Sequence, residues 1–252
     1  MNVVIYGICG KMGRTLISAA ADFPDIKIIG GVDAMCNTSA SDCCGGIATY
    51  KSAAEIKVKP DIIIDFSRPS SLSDILSYAL KNKVKLVLCT TGYSAADEKK
   101  ISDAAKEIAI FKSGNMSIGV NLIVDLIAQA SKALGDAYDI EIVEKHHNQK
   151  VDAPSGTALM LAEAANSAFD GKKKYVYGRG GADCKRDRSE IGIHAVRGGT
   201  LPGEHEVMFI GCDEVISISH TAFSKKIFAS GAFRAALSLK DKQSGLYSFK
   251  RK

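Results

Sequence analysis

The sequence predicts an α/β protein: a parallel sheet domain first, then a smaller α+β domain with a mixed, mostly antiparallel sheet. Three observations carry this. Short apolar runs alternate with helical periodicity over residues 2–112, the pattern of strands buried on both faces between helices. A glycine-rich turn, Gly7-Ile8-Cys9-Gly10-Lys11-Met12-Gly13, joins the first strand pattern to the first helix pattern. Beyond a long helical stretch at 119–134, three strand patterns at 191–196, 206–210 and 215–220 follow over short Gly-containing connections, which favours antiparallel pairing.

The run NVVIY at 2–6 is short and apolar, and RTLISAAADF at 14–23 is helical. Between them the glycines fall as G-x-x-G-x-x-G, a variant of the dinucleotide-binding fingerprint. Their physical tasks are a tight turn, close backbone approach to a pyrophosphate, and close packing of helix on strand. The next strand, IKIIGGVD, ends at Asp33. An acid about 20 residues past the glycines is placed to hold ribose hydroxyls. Strand, turn and acid together favour nucleotide binding over a merely tight turn. Residues 37–50 lack periodicity and read as a loop. Alternation then resumes: a strand at 61–66, a helix opened by Ser67-Arg68-Pro69 and running to 80, a strand at 84–89, a helix at 95–107 and a strand at 108–112. Thr90-Thr91-Gly92 and Ser113-Gly114-Asn115 end the last two strands, where open α/β sheets place their ligand crevice. Plain turn chemistry would choose the same residues, so both readings stand.

The richest stretch is 141–158, EIVEKHHNQKVDAPSGTA. It begins as a strand, with β-formers at Ile140, Ile142 and Val143. It ends as a helix start, where Pro154-Ser155-Gly156-Thr157 opens the run ALMLAEAANSAF. Proline suits a first helical turn, and Ser or Thr caps free amides there. A loop between them holds His146, His147 and Lys150. Titratable groups thus sit beside a helix N-terminus that favours an anion. A proton donor next to an anion seat suits an enzyme acting on a carboxylate substrate. The alternative is two surface histidines and a solvated lysine; neighbouring residues on a strand point to opposite faces, so one histidine at most faces a given site. No H-E-x-x-H or paired C-x-x-C spacing is present, and no metal centre is expected. An amphipathic helix at 227–239 ends the fold and is expected to return to the first domain.

Composition limits the function classes. The chain has 252 residues, 46% hydrophobic and 24% charged, enough for one large or two modest domains. No apolar run reads as long enough to span a membrane, and no signal peptide is evident. Seven cysteines without framework spacing point to thiols in a reducing cytoplasm. Cys43-Cys44 reads as a loop feature, with a redox or metal role as the alternative. The net charge of +5 is mild, and the basic run from Lys172-Lys173-Lys174 to Arg179, Lys185, Arg186 and Arg188 lacks interleaved aromatics. A nucleic-acid partner is therefore not expected. The run reads as a solvated loop, or as an attractor for an anionic ligand.

Read with the N-terminal glycines, the stretch 141–158 resembles the dihydrodipicolinate reductase family, matching E-[IL]-x-E-x-H-H-x-x-K-x-D-A-P-S-G-T-A throughout. The similarity continues through Asp65-Phe66-Ser67-Arg68-Pro69, Thr90-Thr91-Gly92, Asn115-Met116-Ser117 and Lys242-Gln243-Ser244-Gly245-Leu246-Tyr247. The resemblance implies NAD(P)H-dependent reduction of a cyclic imine dicarboxylate, 4-hydroxy-tetrahydrodipicolinate, in lysine and diaminopimelate synthesis. It implies His146 as proton donor and acceptor and Lys150 as second proton donor. His147, Gly156 and Thr157 match substrate-binding positions, with Ser155 and Thr91 nearby. Gly7, Ile8, Cys9, Gly10, Lys11, Met12 and Asp33 match the cofactor site, as do Cys89, Thr90, Thr91, Ser113, Gly114, Asn115 and Met116. The implied fold is a Rossmann-type domain from 1–117 and 225–252, with an inserted substrate and oligomerisation domain at 118–224 that builds a homotetramer. Some members carry Arg after the ribose acid, where this chain has Ala34, and Phe where it has Met116. With Ala34 offering no charge to a 2′-phosphate, NADH is expected to be preferred and NADPH to remain usable. Two other classes stay open: a different Rossmann-type dehydrogenase of amino acids or semialdehydes, and a non-catalytic nucleotide sensor.

Overall fold

The computed structural model describes residues 1–35 and 44–249, so Cys43 and part of the 37–50 loop lie outside the described residues. The chain divides into two compact units, Met1–Ser117 with Lys225–Lys252, and Ile118–Ser224.

In the first unit the elements run β1 (Asn2–Tyr6), α1 (Lys11–Ala19), β2 (Lys27–Val32), β3 (Thr49–Tyr50), β4 (Ile62–Asp65), α2 (Leu72–Asn82), β5 (Lys85–Leu88), α3 (Ala95–Ala104) and β6 (Ala109–Lys112). The strands are apolar on both faces because both are covered. Val3, Ile5, Ile62 and Ile64 face a core with Leu16 of α1 and Phe233. Val4, Tyr6, Ile63 and Leu86 face a second core with Leu72 and Ile75 of α2 and Ile101 of α3. All pairings in this sheet are parallel. The chain first adds β2 and β3 on one side of β1, then crosses to add β4, β5 and β6 on the other. That reversal opens a crevice at the carboxyl ends of β1 and β4.

The second unit holds α4 (Ile118–Leu134), β7 (Asp139–His146), α5 (Gly156–Asn166), β8 (Lys174–Tyr177), β9 (Glu190–Arg197), β10 (Gly203–Ile210) and β11 (Val215–Ala222). Ile140, Ile142, Ile191, Ile193, Val207 and Phe209 line one face of its sheet, against Ile123 and Ile127 of α4 and Leu161 and Ala165 of α5. The chain then closes the first unit with α6 (Lys226–Ser238), which brings Ala229, Ala232 and Phe233 into the first core, and β12 (Gly245–Tyr247) beside β6.

Several expectations need correction. The second sheet, ordered β11-β10-β7-β9-β8, is mixed: β10–β7 and β10–β11 are antiparallel, while β7–β9 and β8–β9 are parallel. The connection after β9 crosses the end of β7, so consecutive strands β9 and β10 flank β7 instead of pairing. The basic run contains β8, and its arginines are not simply solvated. Arg186 Nε lies 2.9 Å from Glu141, and Arg179 Nη2 3.3 Å from the same carboxylate. Thr49–Tyr50 pairs with β2, and Gly245–Tyr247 with β6; both strands are too short to show periodicity. By length and composition, residues Ile118–Ala137 would suffice to cross a membrane. Asp125 and Lys132 interrupt that sequence, and Ile123 and Ile127 pack into the second unit's core.

Candidate functional site

The first unit presents a cradle at the end of β1. Gly7 has φ +77°, and a Cβ there would lie 2.7 Å from the Phe66 carbonyl oxygen. A Cβ on Gly13 would lie 2.3 Å from the Ile8 oxygen and 2.4 Å from that of Gly7. Only glycine lets α1 start this close to the strand end. Gly10 is the N-cap of α1, without a side-chain cap, and the first turn carries no acid. The opening amides of α1 therefore favour an anion. Asp33, just past β2, accepts the Cys9 N–H at Oδ2 and the Met35 N–H at Oδ1, each at 3.1 Å. It thus ties the glycine turn to the end of β2.

A cleft of about 580 Å³ runs past Gly10, Asp33, Ala34, Lys51, Phe66 and Arg68. A cradle that no Cβ could enter, an uncapped helix start and an acid at the ribose position fit a nicotinamide dinucleotide. Of the residues predicted for that group, Gly7, Cys9, Gly10 and Asp33 line the cleft. Ile8 is wholly buried, Met12 packs against the first core, and Lys11 is exposed; none of the three lines the cleft. Cys89 and Ser113 follow β5 and β6, and a Cβ on Gly114 would lie 3.7 Å from Thr91 Cγ2, so the two strand-end turns meet. Cys89 and Thr90 are buried, Thr91 is exposed, and Met116 packs in the core.

Sequence reading gave Asp65 no role of its own, although it ends a strand otherwise made of isoleucine. It is fully buried and accepts the Ser67 N–H at 2.9 Å and the Tyr93 hydroxyl at 3.0 Å. Burial pushes its carboxyl up, against these hydrogen bonds. It joins the ends of β4 and β5 beneath the cleft.

In the second unit, β7 alternates inward Ile140 and Ile142 with outward Glu141 and Val143, and the same period turns Glu144 and His146 inward. His146 is therefore the last strand residue rather than a loop residue. The loop after β9 crosses here: His147 N–H donates to the Leu201 carbonyl at 2.8 Å, and Asn148 N–H to that of Gly199 at 3.2 Å. Lys150 is half-buried and pairs with Asp152 at 2.8 Å. Pro154 lies outside the helix, not in its first turn; Ser155 is the N-cap of α5, its Oγ accepting the Ala158 N–H at 3.1 Å. Gly156 and Thr157 are the first helical residues, and the space a Cβ on Gly156 would take is open.

Behind His146 lies an ionic cluster. Its Nδ1 is 2.6 Å from Glu144 Oε2, and the Ser155 N–H donates to Glu144 Oε1 at 2.9 Å. Arg197, from β9, grips both oxygens at 2.7 and 2.8 Å. Burial alone would raise the Glu144 carboxyl, but Arg197, His146 and the Ser155 amide outweigh it and hold it below the usual range. Burial lowers His146 most; Glu144 restores part, and the Lys150 and Arg197 charges lower it further. His205 of β10 stands with its ring 5.1 Å from that of His146, its Nε2 2.9 Å from Ser155 Oγ. Burial, aided by the nearby His146, pushes it down to about 4. Among the described residues no group of three or more His, Cys, Asp or Glu is placed to hold a metal ion.

Fold and cradle define the class, an oxidoreductase on a Rossmann-type sheet with an added mixed-sheet unit. The chain belongs to the dihydrodipicolinate reductase family. The family's N-terminal model matches residues 1–116 and its C-terminal model residues 119–251. The 4-hydroxy-tetrahydrodipicolinate reductase of Clostridium tetani is 47% identical over 98% of this chain and 95% of its own. That of Caldanaerobacter subterraneus subsp. tengcongensis is 45% identical over 98% and 96%. In fold, the chain resembles a dipicolinate-bound dihydrodipicolinate reductase from Paenisporosarcina sp. TG-14, with TM-score 0.76, 21% identity, and coverage of 98% of this chain and 97% of that one.

Proposed function

We propose that this protein reduces 4-hydroxy-tetrahydrodipicolinate to tetrahydrodipicolinate in lysine and diaminopimelate synthesis, with NADH preferred and NADPH also used. The observation that carries the reading is the single segment from His146 to Thr157. It sets a buried imidazole, a lysine and a helix N-terminus at one end of β7. When bound, the nicotinamide supplies the hydride.

This chain's residues do the rest. The N-terminus of α5, with Ser155, Gly156 and Thr157, seats one substrate carboxylate, and His147 assists. Lys150 meets the other, taking a substrate oxygen in place of Asp152. Reduction of a ring conjugated with an imine leaves negative charge toward its nitrogen and neighbouring carbon. One proton neutralises it: His146 returns to the ring carbon the proton it took there when the 4-hydroxyl left as water, the proton of that water coming from Lys150. Gly7, Gly10 and the start of α1 hold the pyrophosphate, and Asp33 the ribose hydroxyls; residues 89–91 and 113–116 complete the cofactor seat. Ala34 and Met35 offer no charge to a 2′-phosphate. Lys51 and Arg68 in the same cleft supply enough to keep NADPH usable.

The outer face of the second sheet carries exposed Val196 and Val215 with half-buried Val143 and Met208. Closing it against other copies gives the homotetramer. Thiols such as Cys89 and Cys184 suit a reducing cytoplasm. The test is NADH consumption with freshly generated 4-hydroxy-tetrahydrodipicolinate, and competition by pyridine-2,6-dicarboxylate, which presents two carboxylates on a flat ring. No turnover would refute the function; inhibition insensitive to substrate concentration would refute the seat.

A further inference from the structure

We infer that Glu144, locked by Arg197, is the positioning residue that sets the tautomer and proton affinity of His146 and ties that imidazole to the anion seat. The inference rests on His146 being the proton donor of the proposed reaction. Glu144 is wholly buried, yet both its oxygens are used. Oε2 takes His146 Nδ1 and Oε1 takes the backbone N–H of Ser155, the residue that caps α5. Arg197 is bidentate across the two, and its Nη2 also donates to the Asp152 carbonyl at 2.7 Å. One carboxylate therefore connects the end of β7, the start of α5 and the end of β9.

An ionised carboxylate only accepts, so the proton on neutral His146 must sit on Nδ1. Its Nε2 is left to take up and deliver the reacting proton. A Cβ on Gly203 would lie 2.9 Å from that Nε2, so residue 203 must be glycine-sized for the ring to stand as it does. The groups facing the ring are Glu144, Arg197, Lys150 and His205. Arg197 and Lys150 disfavour the imidazolium, and so does burial. His205 stays neutral at ordinary pH, with its depressed proton affinity. Glu144 alone among these groups favours the imidazolium, so it is what limits the fall in His146 proton affinity. Arg197 performs a different task, keeping the carboxylate ionised and aimed.

The first test reads the parent protein. Protein labelled with ¹⁵N-histidine, its His146 signals assigned by loss in His146→Gln, reports the tautomer directly. Protonation at Nδ1 in the neutral form is expected; a neutral ring protonated at Nε2 overturns the inference. The second test is Glu144→Gln. Losing an opposite charge at this distance should lower the His146 midpoint by about 1–3 pH units. The basic limb of the kcat profile should move down with it, while NADH affinity holds. A merely loosened site would admit water and move the imidazole up, toward its ordinary value. A midpoint that rises or stays, or a kcat profile that ignores a lowered midpoint, overturns the inference. Glu144→Asp keeps the charge and should restore most of the midpoint. If His146→Gln itself keeps full turnover, the proton-donor reading fails, whatever the ¹⁵N shifts say about the pair.

Discussion

His205 should make this protein sensitive to mild acid. It is 4% exposed, and burial holds its imidazole down to about 4, against an ordinary 6.5. His146, His220 and Lys150 contribute to the lowering, and Glu144 opposes it. The sign follows from linkage. Between pH 6.5 and 4 the unfolded chain binds a proton at this position that the folded chain refuses, so stability falls as pH falls through that window. Above 6.5 both states are neutral and the contribution is constant. At 1.36 kcal/mol per pH unit the full window costs about 3 kcal/mol, with no discount for solvent since the ring is buried. His205→Gln lacks the titration. Urea unfolding followed by circular dichroism, at one protein concentration from pH 7 to 4, should give a parent-minus-variant difference that falls by about 3 kcal/mol toward acid. The variant is expected to be less stable at pH 7, since Gln must replace the bond to Ser155, and the two curves should converge as pH drops. A difference independent of pH would refute the reasoning.

The other expectations concern turnover and the cradle. His146→Gln and Lys150→Ala should each lower kcat by about 10²–10⁴-fold while NADH affinity, read by fluorescence, stays near the parent value. Gly13→Ala places a methyl against two fixed carbonyls. It should destabilise the first unit by about 1–3 kcal/mol and weaken NADH binding, both visible in thermal shifts with and without the cofactor. Ala34→Arg should move kcat/KM toward NADPH by adding a phosphate partner beside Asp33; a parent that already favours NADPH would count against the assigned preference.

Much of this was readable in the chain itself. Periodicity marked the main strands of the parallel sheet because apolar runs buried on both faces leave a local signature; the three glycines act within one βα turn, and Asp33 directly follows the very next strand. His146, Lys150 and Ser155 lie within ten residues of sequence, so one segment announced them together. The alternation of β7 likewise turns Glu144 inward beside His146, a signal carried by the strand's own period. Other features required the tertiary structure. Arg197 meets Glu144 from 53 residues away. β9 chooses β7 over its neighbour β10, and β8, β3 and β12 are short pieces whose pairing, not their periodicity, makes them strands. The physical reason is common to all of these. A local pattern is set by the geometry of one strand or helix, whereas a pairing between distant segments depends on how every face in the unit is covered at once.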